Sequence, residues 1–169
     1  MPVRPGSKAW IGRSKTWRDI IGNMIERLVV DTNVVVAAVC SARGASFVVL
    51  RGIVEGRIRP SVSVPLFVEY ESALLDPRVR RMHRLSRADV TVLLDAIALR
   101  VHTVKLHFRW RPQLSDPGDE MVLETAVNAM AKTLLTFNER DFVPAAGRFG
   151  IEVVAPGAFV LRHRARLDA

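Results

Sequence analysis

Arg27-Leu28-Val29-Val30-Asp31-Thr32-Asn33-Val34-Val35-Val36 is the stretch that decides the fold. Leu28–Val30 is a short apolar run, long enough only for a buried strand. The apolar character resumes at once over residues 33–40, where it fits a helix buried on all sides. A strand that hands over to a helix through one acid, Asp31, predicts an α/β unit. The same alternation continues outward. Gly44 breaks the first helix, and residues 46–55 predict a second. Strands are predicted over 59–63 and 101–104, at Thr133–Leu135, and at Glu152–Val154. Between them, Pro65 opens a helix over 66–75 and residues 78–84 form a short basic helix. Ser86 with Asp89 resembles a capping box for a helix over 87–99, whose buried stripe is Val90, Leu93, Leu94 and Ile97. A basic, aromatic loop covers 105–115, a helix runs from Asp116 to residue 131, and residues 156–161 close the chain with a helical turn. Strand and helix in alternation predict a parallel sheet of four to five strands with helices on both faces, a three-layer α/β/α sandwich.

The chain has 169 residues, enough for one domain with a substantial core. The expected division is an extension over 1–26, a domain over 27–161 and a basic tail over 162–169. In the extension, Trp17, Ile20, Ile21, Met24 and Ile25 recur at helical spacing, so it is either an accessory helix or lies upstream of a natural start at Met24. It lacks the continuous apolar stretch of a secretory signal. No apolar run approaches the ~20 residues that span a bilayer. The lone cysteine, Cys40, excludes a disulfide framework and a cysteine-based zinc site, and suits a cytoplasmic protein. The net charge of +8 points to a polyanionic partner. Basic residues gather at Arg78, Arg80, Arg81 and Arg84, around Trp110 at Arg109 and Arg111, and at the C-terminus.

Against this positive background, acids stand at or just beyond predicted strand ends. They are Asp31, Glu69, Asp116, Asp119 and Asp141, with Asn138 among them. Side chains at the carboxyl ends of parallel strands converge on one crevice. Carboxylates meeting there repel by ~4 kcal/mol per pair at contact, for an effective dielectric of about 20. One or two divalent cations would relieve that repulsion. Hard oxygen ligands select Mg²⁺ or Mn²⁺, and such ions activate water against phosphodiesters. Each acid has a plainer alternative. Asp31 could cap the following helix. Glu69 could lie on a solvated helix face. Asp116 and Asp119 could serve the helix dipole, worth ~0.3–1 kcal/mol, with Asp116 the better cap and Asp119 the better ligand. Thr32 and Asn33 are turn formers or donors that orient Asp31. Glu120 and Glu124 read as surface charges. The four histidines share no ligand spacing, and Cys40 reads as an inert thiol in an apolar helix.

Four segments together resemble the PIN-domain nucleases: Val30-Asp31-Thr32-Asn33, Pro65-Leu66-Phe67-Val68-Glu69, Asp116-Pro117-Gly118-Asp119, and Thr136-Phe137-Asn138-Glu139-Arg140-Asp141-Phe142. The pattern is closest to the VapC-like toxins of toxin–antitoxin pairs. The resemblance implies metal-dependent cleavage of single-stranded RNA and a cognate antitoxin, and it leaves a homodimer open. It assigns catalysis to Asp31, Glu69, Asp119 and Asn138, and extends the metal set to Asp116 and Asp141. Thr32, Asn33 and Thr136 would support these, and Arg78, Arg80, Arg81, Arg84, Arg109 and Arg111 would hold RNA. The chain departs from the pattern at Asn138, where many relatives carry Asp. A phosphatase with Asp31 as nucleophile is the weaker alternative, since its acid/base partner would stand at position 33, which is Asn. A fold kept for binding alone is a third reading, supported only by Asn138.

Overall fold

The computed structural model describes residues 27–167. The expected helix over 16–25 and the start at Met24 lie outside the described residues. Within them, five short strands appear: β1 (Leu28–Val30), β2 (Ser61–Ser63), β3 (His102–Val104), β4 (Thr133–Leu135) and β5 (Glu152–Val154). Eight α-helices accompany them among the described residues: α1 (Thr32–Cys40), α2 (Ala45–Val54), α3 (Val64–Leu75), α4 (Pro77–His83), α5 (Arg87–Ala98), α6 (Glu120–Asn128), α7 (Glu139–Ala146) and α8 (Pro156–Leu167).

Every ladder is parallel. β4 lies between β1 and β5, and β2 pairs with β3. The strands therefore form a three-stranded and a two-stranded sheet rather than one continuous ladder, with β2 running beside β1. Read across, the order is β3-β2-β1-β4-β5. Helices α1 to α5 and α8 pack on one another, while α6 packs on β1, β2 and α3, and α7 packs on β5. The order reverses between β1 and β4, and the crevice beyond that reversal is where an open α/β sheet places its ligand.

β1 and β4 are buried at every residue, which explains their uniformly apolar or threonine sequence. Helix ends follow the local chemistry. Ser63 Oγ accepts from Leu66 N–H at 3.4 Å to open α3, and the expected capping box of Ser86 and Asp89 is present in both directions. Asp76 accepts from Arg78 and Val79 N–H at 2.7 and 3.3 Å to open α4.

Two expectations need correction, and one helix is added. Residues 116–119 form a turn, closed by Asp116 Oδ1 accepting from Gly118 N–H at 2.8 Å, so α6 begins at Glu120 and not at Asp116. The segment after Asn138 is a helix, α7, despite Pro144 inside it. Residues 162–167 are the second half of α8 and not a tail. Leu167 is buried and meets α2 where Gly52 leaves room; a Cβ there would lie 3.2 Å from Leu167 Cδ2 and 3.0 Å from Ile58 Cδ1. Arg57 Nη1 donates to Leu167 O and fastens the end. Among the described residues, no single helix is long and apolar enough to cross a membrane.

Candidate active site

Asp31 leaves β1 with its N–H donating to Leu135 O at 2.8 Å, and Thr136 leaves β4 with its N–H donating to Val154 O at 3.2 Å. Both residues thus stand just past the ends of adjacent parallel strands. Asp31 occupies the N-cap position of α1, yet its carboxylate makes no capping hydrogen bond. Its Oδ2 accepts from Thr136 Oγ1 at 2.6 Å and from Asn33 Nδ2 at 2.7 Å. Asn33 Nδ2 also reaches Thr136 Oγ1 at 3.1 Å, and Asn33 Oδ1 accepts from Phe137 N–H at 3.3 Å. Asn33 and Thr136 therefore lock the Asp31 side chain across the gap between β1 and β4. The chain of contacts continues from Thr136 Oγ1, which accepts from Asn138 N–H at 2.9 Å, to Asn138 Nδ2, which donates to Asp119 Oδ2 at 3.2 Å.

Asp31 is only 3% exposed. Burial raises its pKa to about 6; the Thr136 hydrogen bond opposes the rise, Asp119 adds to it, and the amides of Asn33 and Thr32 oppose it. Asp119 is half-buried and is also raised, by burial first and then by the charge of Asp116; the Asn138 hydrogen bond opposes this and Asp141 reinforces it. Asp119 is thus among the charges that raise Asp31, while the charges that raise Asp119 are those of Asp116 and Asp141. Beneath them the buried Tyr70 hydroxyl donates to Val30 O, and burial followed by the Asp31 charge pushes that phenol up.

The expected residues divide by this geometry. Asp31, Asn33, Asp119, Thr136 and Asn138 form one connected set. Asp116 and Asp141 are exposed and act on Asp119 through charge. Glu69 is half-buried on α3 beside Tyr70 and is not among the charges acting on Asp31 or Asp119. Thr32 Oγ1 is buried without a hydrogen-bond partner. Among the described residues, no three His, Cys, Asp or Glu side chains stand together as a ready metal cage.

Residues 27–140 match the family described as the PIN domain. The chain belongs to the PIN-domain family. Its fold is therefore of the nuclease type, and PIN domains are generally hydrolases of this kind. Comparison with curated proteins gives no match. Within this PIN domain, the expected surface acids Glu120 and Glu124 are a correction: both are buried on α6. Glu124 takes Arg111 in a two-point pair, Oε1 from Nε at 2.8 Å and Oε2 from Nη2 at 2.9 Å. Arg111, expected to hold RNA, is thus committed to the protein itself. Glu120 Oε1 accepts from Gln113 and Leu114 N–H at 2.5 and 3.0 Å. Asn128 Oδ1 accepts from His107 and Phe108 N–H at 2.8 and 3.0 Å, and its Nδ2 donates to Phe108 O at 2.9 Å. Residues 120, 124 and 128 form one stripe four residues apart, and they strap loop 105–115 antiparallel along the helix. That spacing is visible in the sequence, but a polar stripe beside a polar loop looks the same as a solvated face. His83 is likewise half-buried and bonded to Leu74 O at 3.1 Å. Cys40 is half-buried at the end of α1, and burial raises its thiol.

Proposed function

We propose that this PIN domain is a metal-dependent endoribonuclease that cleaves single-stranded RNA, and that it serves as the toxin of a toxin–antitoxin pair. The observation that carries the catalytic part is the hydrogen-bonded set Asp31–Thr136–Asn138–Asp119 at the crevice over β1 and β4. Two oxygen-only carboxylates, both destabilised as anions by burial and neighbouring charge, suit a hard cation. Mg²⁺ is commonly held by one or two carboxylates together with substrate phosphate, so a three-acid cage is not required. Asp31 and Asp119 would hold the ion, with Asp116 and Asp141 adding negative potential and Glu69 available from α3. Bound there, Mg²⁺ or Mn²⁺ supplies Lewis-acid polarisation of the scissile phosphate and an activated water.

The chain's own residues do the rest. Thr136 and Asn33 fix the carboxylate of Asp31 by two hydrogen bonds, so it enters the reaction already oriented. Asn138 does the same for Asp119 and contributes no charge of its own. The chain's net charge of +8 draws the phosphate backbone toward the protein despite the acids of the crevice. The toxin role rests on the resemblance of the motifs to VapC-like proteins, and its partner would be an acidic antitoxin segment.

The test is cleavage of a single-stranded oligoribonucleotide with Mn²⁺ present. Activity lost in EDTA, restored by Mn²⁺ and absent in Asp31→Asn is the expected outcome. Metal-independent cleavage, or full activity in Asp31→Asn, would refute the catalytic reading. Growth arrest on induced expression, relieved by the product of a neighbouring small gene, tests the toxin role separately.

A further inference from the structure

The loop strapped to α6 presents an aromatic column for which catalysis has no use. Phe108 and Trp110 stack with ring centres 5.4 Å apart and planes within 5°, and Trp110 stacks on Phe149 at 5.5 Å and 21°. All three rings are exposed, at 58%, 47% and 36%. The backbone that carries Phe108 and Trp110 is fixed at three levels of α6 by Glu120, Glu124 and Asn128, with the first two side chains buried, and Phe149 comes from the turn Gly147–Phe149 that follows α7. Exposed aromatics held this firmly form a built surface. Arg109 and Arg148 flank the column and are exposed, and among the described residues neither enters a hydrogen bond or ion pair. Beyond Asn128 the strap opens on a cavity of about 360 Å³ lined by Arg27, His102, Lys105 and His107, with no acid in its wall.

We propose that this column is a track for single-stranded RNA running from the active site along α6, with bases stacking on the outer faces of Phe108 and Phe149 at the two ends of the column, Trp110 bracing both rings between them, and phosphates meeting Arg109 and Arg148. Flat rings flanked by cations match the base-and-phosphate alternation of a single strand, and stacking tolerates any base. An acidic protein segment would meet the cations but has no comparable use for three stacked rings. The strap levels at Glu124 and Asn128 lie about 8 and 14 Å from Asp119 along the axis, at 1.5 Å per residue. The track therefore begins within a few nucleotides of the proposed cleavage point. The inference rests on the ribonuclease reading for its direction, but not for its test.

Binding is measured by fluorescence anisotropy in EDTA with a labelled oligouridylate about ten nucleotides long, within the usual site size of a single-strand binder. The combined Phe108→Ala and Trp110→Ala variant is expected to bind on the order of tenfold more weakly. Trp110→Phe should keep near wild-type affinity, and a labelled dinucleotide should bind the double variant as it binds the wild type. Arg109→Ala and Arg148→Ala should each flatten the dependence of log affinity on log salt by about 0.7. Thermal melting by circular dichroism shows whether each variant is folded; if the double variant melts early, Trp110→Phe and the two arginine variants carry the test. Unchanged oligouridylate affinity in a folded double variant would overturn the proposal, and a changed oligomeric state in that variant would assign the column to contact between copies. Stacking-dependent binding without cleavage would sink the ribonuclease reading and leave the track; cleavage indifferent to these variants would do the reverse.

Discussion

Asn138 donates its side-chain amide to Asp119 Oδ2 at 3.2 Å, joining the start of α7 to the turn that opens α6. An amide at this point gives Asp119 a hydrogen bond where an acid would give it a second negative charge. The departure from the family pattern therefore has a physical consequence. It lowers the repulsion in the crevice at the expense of one anionic ligand.

Asn138→Asp should reverse that balance. In the metal-free protein the new carboxylate faces Asp119, and stability at neutral pH should fall by about 1–2 kcal/mol after allowance for solvent screening. Mn²⁺ should then bind more tightly than to the wild type. Melting temperatures with and without Mn²⁺ check this, because the variant should lie below wild type without the ion and gain more from it. A variant that gains no more than wild type from Mn²⁺ would show that position 138 does not face the cation.

Asp31 sets a pH dependence. Its carboxyl is raised to about 6 from an ordinary 3.8, so the folded state favours the protonated form. The stability contributed by that form is fully present below the unfolded value and is lost as pH rises through about 6. The loss is bounded at roughly 3 kcal/mol. Denaturant midpoints without metal should therefore decline between about pH 4 and 6 in wild type and level off above, the window set by the unfolded 3.8 and the folded value of about 6. Asp31→Asn should flatten this decline and be the more stable protein at neutral pH. A destabilised Asp31→Asn at neutral pH would make Asp31 a structural residue.

The strands at the site are legible in the sequence because β1 is an apolar run, β4 and β5 each end in two apolar residues, and their bounds are set by Asp31, Thr136 and Pro156. The acids at their ends stand out for the same reason. What cannot be read is the pairing of polar groups distant in sequence. Glu120 and Glu124 carry the same charge whether solvated or buried beneath a loop. Only the return of residues 105–115 along α6 decides between the two. Pro144 argues against a helix over 139–146, yet it removes only one N–H from a helix anchored by the buried Phe142, Ala145 and Ala146. The end of α8 is hidden because its arginines resemble a solvated tail, while Leu167 alone reaches the core.

Arg111→Ala should destabilise the protein more than an exposed ion pair would. Glu124 is 5% exposed in its side chain, so its carboxylate would be left buried without a partner, although Arg111 is itself 48% exposed. A loss of roughly 1–3 kcal/mol is expected. The neutral pair Glu124→Gln with Arg111→Met should recover much of it. Limited proteolysis should cut the 105–115 loop faster in the single variant, and equal cutting rates would mean that the pair does not hold the loop.

The four arginines of α4 and its C-cap should separate into two roles. Arg78, Arg81 and Arg84 are exposed, whereas Arg80 is half-buried and its Nε is buried without a hydrogen-bond partner. α4 packs on α1, whose N-cap is Asp31, and on α3, which carries Glu69. Neutralising the three exposed arginines should weaken RNA binding with the rate at saturation unchanged. Its salt dependence should flatten by up to about 0.7 for each phosphate no longer neutralised. An unchanged salt slope would leave this face without an RNA contact.

Calorimetric titration of Mn²⁺ into the wild type, Asp31→Asn, Asp119→Asn and the double variant tests the central claim most directly. Asp31 and Asp119 are held as one hydrogen-bonded set, so they should serve one cation site. The account predicts saturable Mn²⁺ binding by the wild type, a large loss in each single variant, and a double variant little worse than either single, since residues that act as a unit are not additive. Wild-type protein that takes up no Mn²⁺ at millimolar concentration, or an Asp119→Asn variant that binds it as the wild type does, would contradict the account.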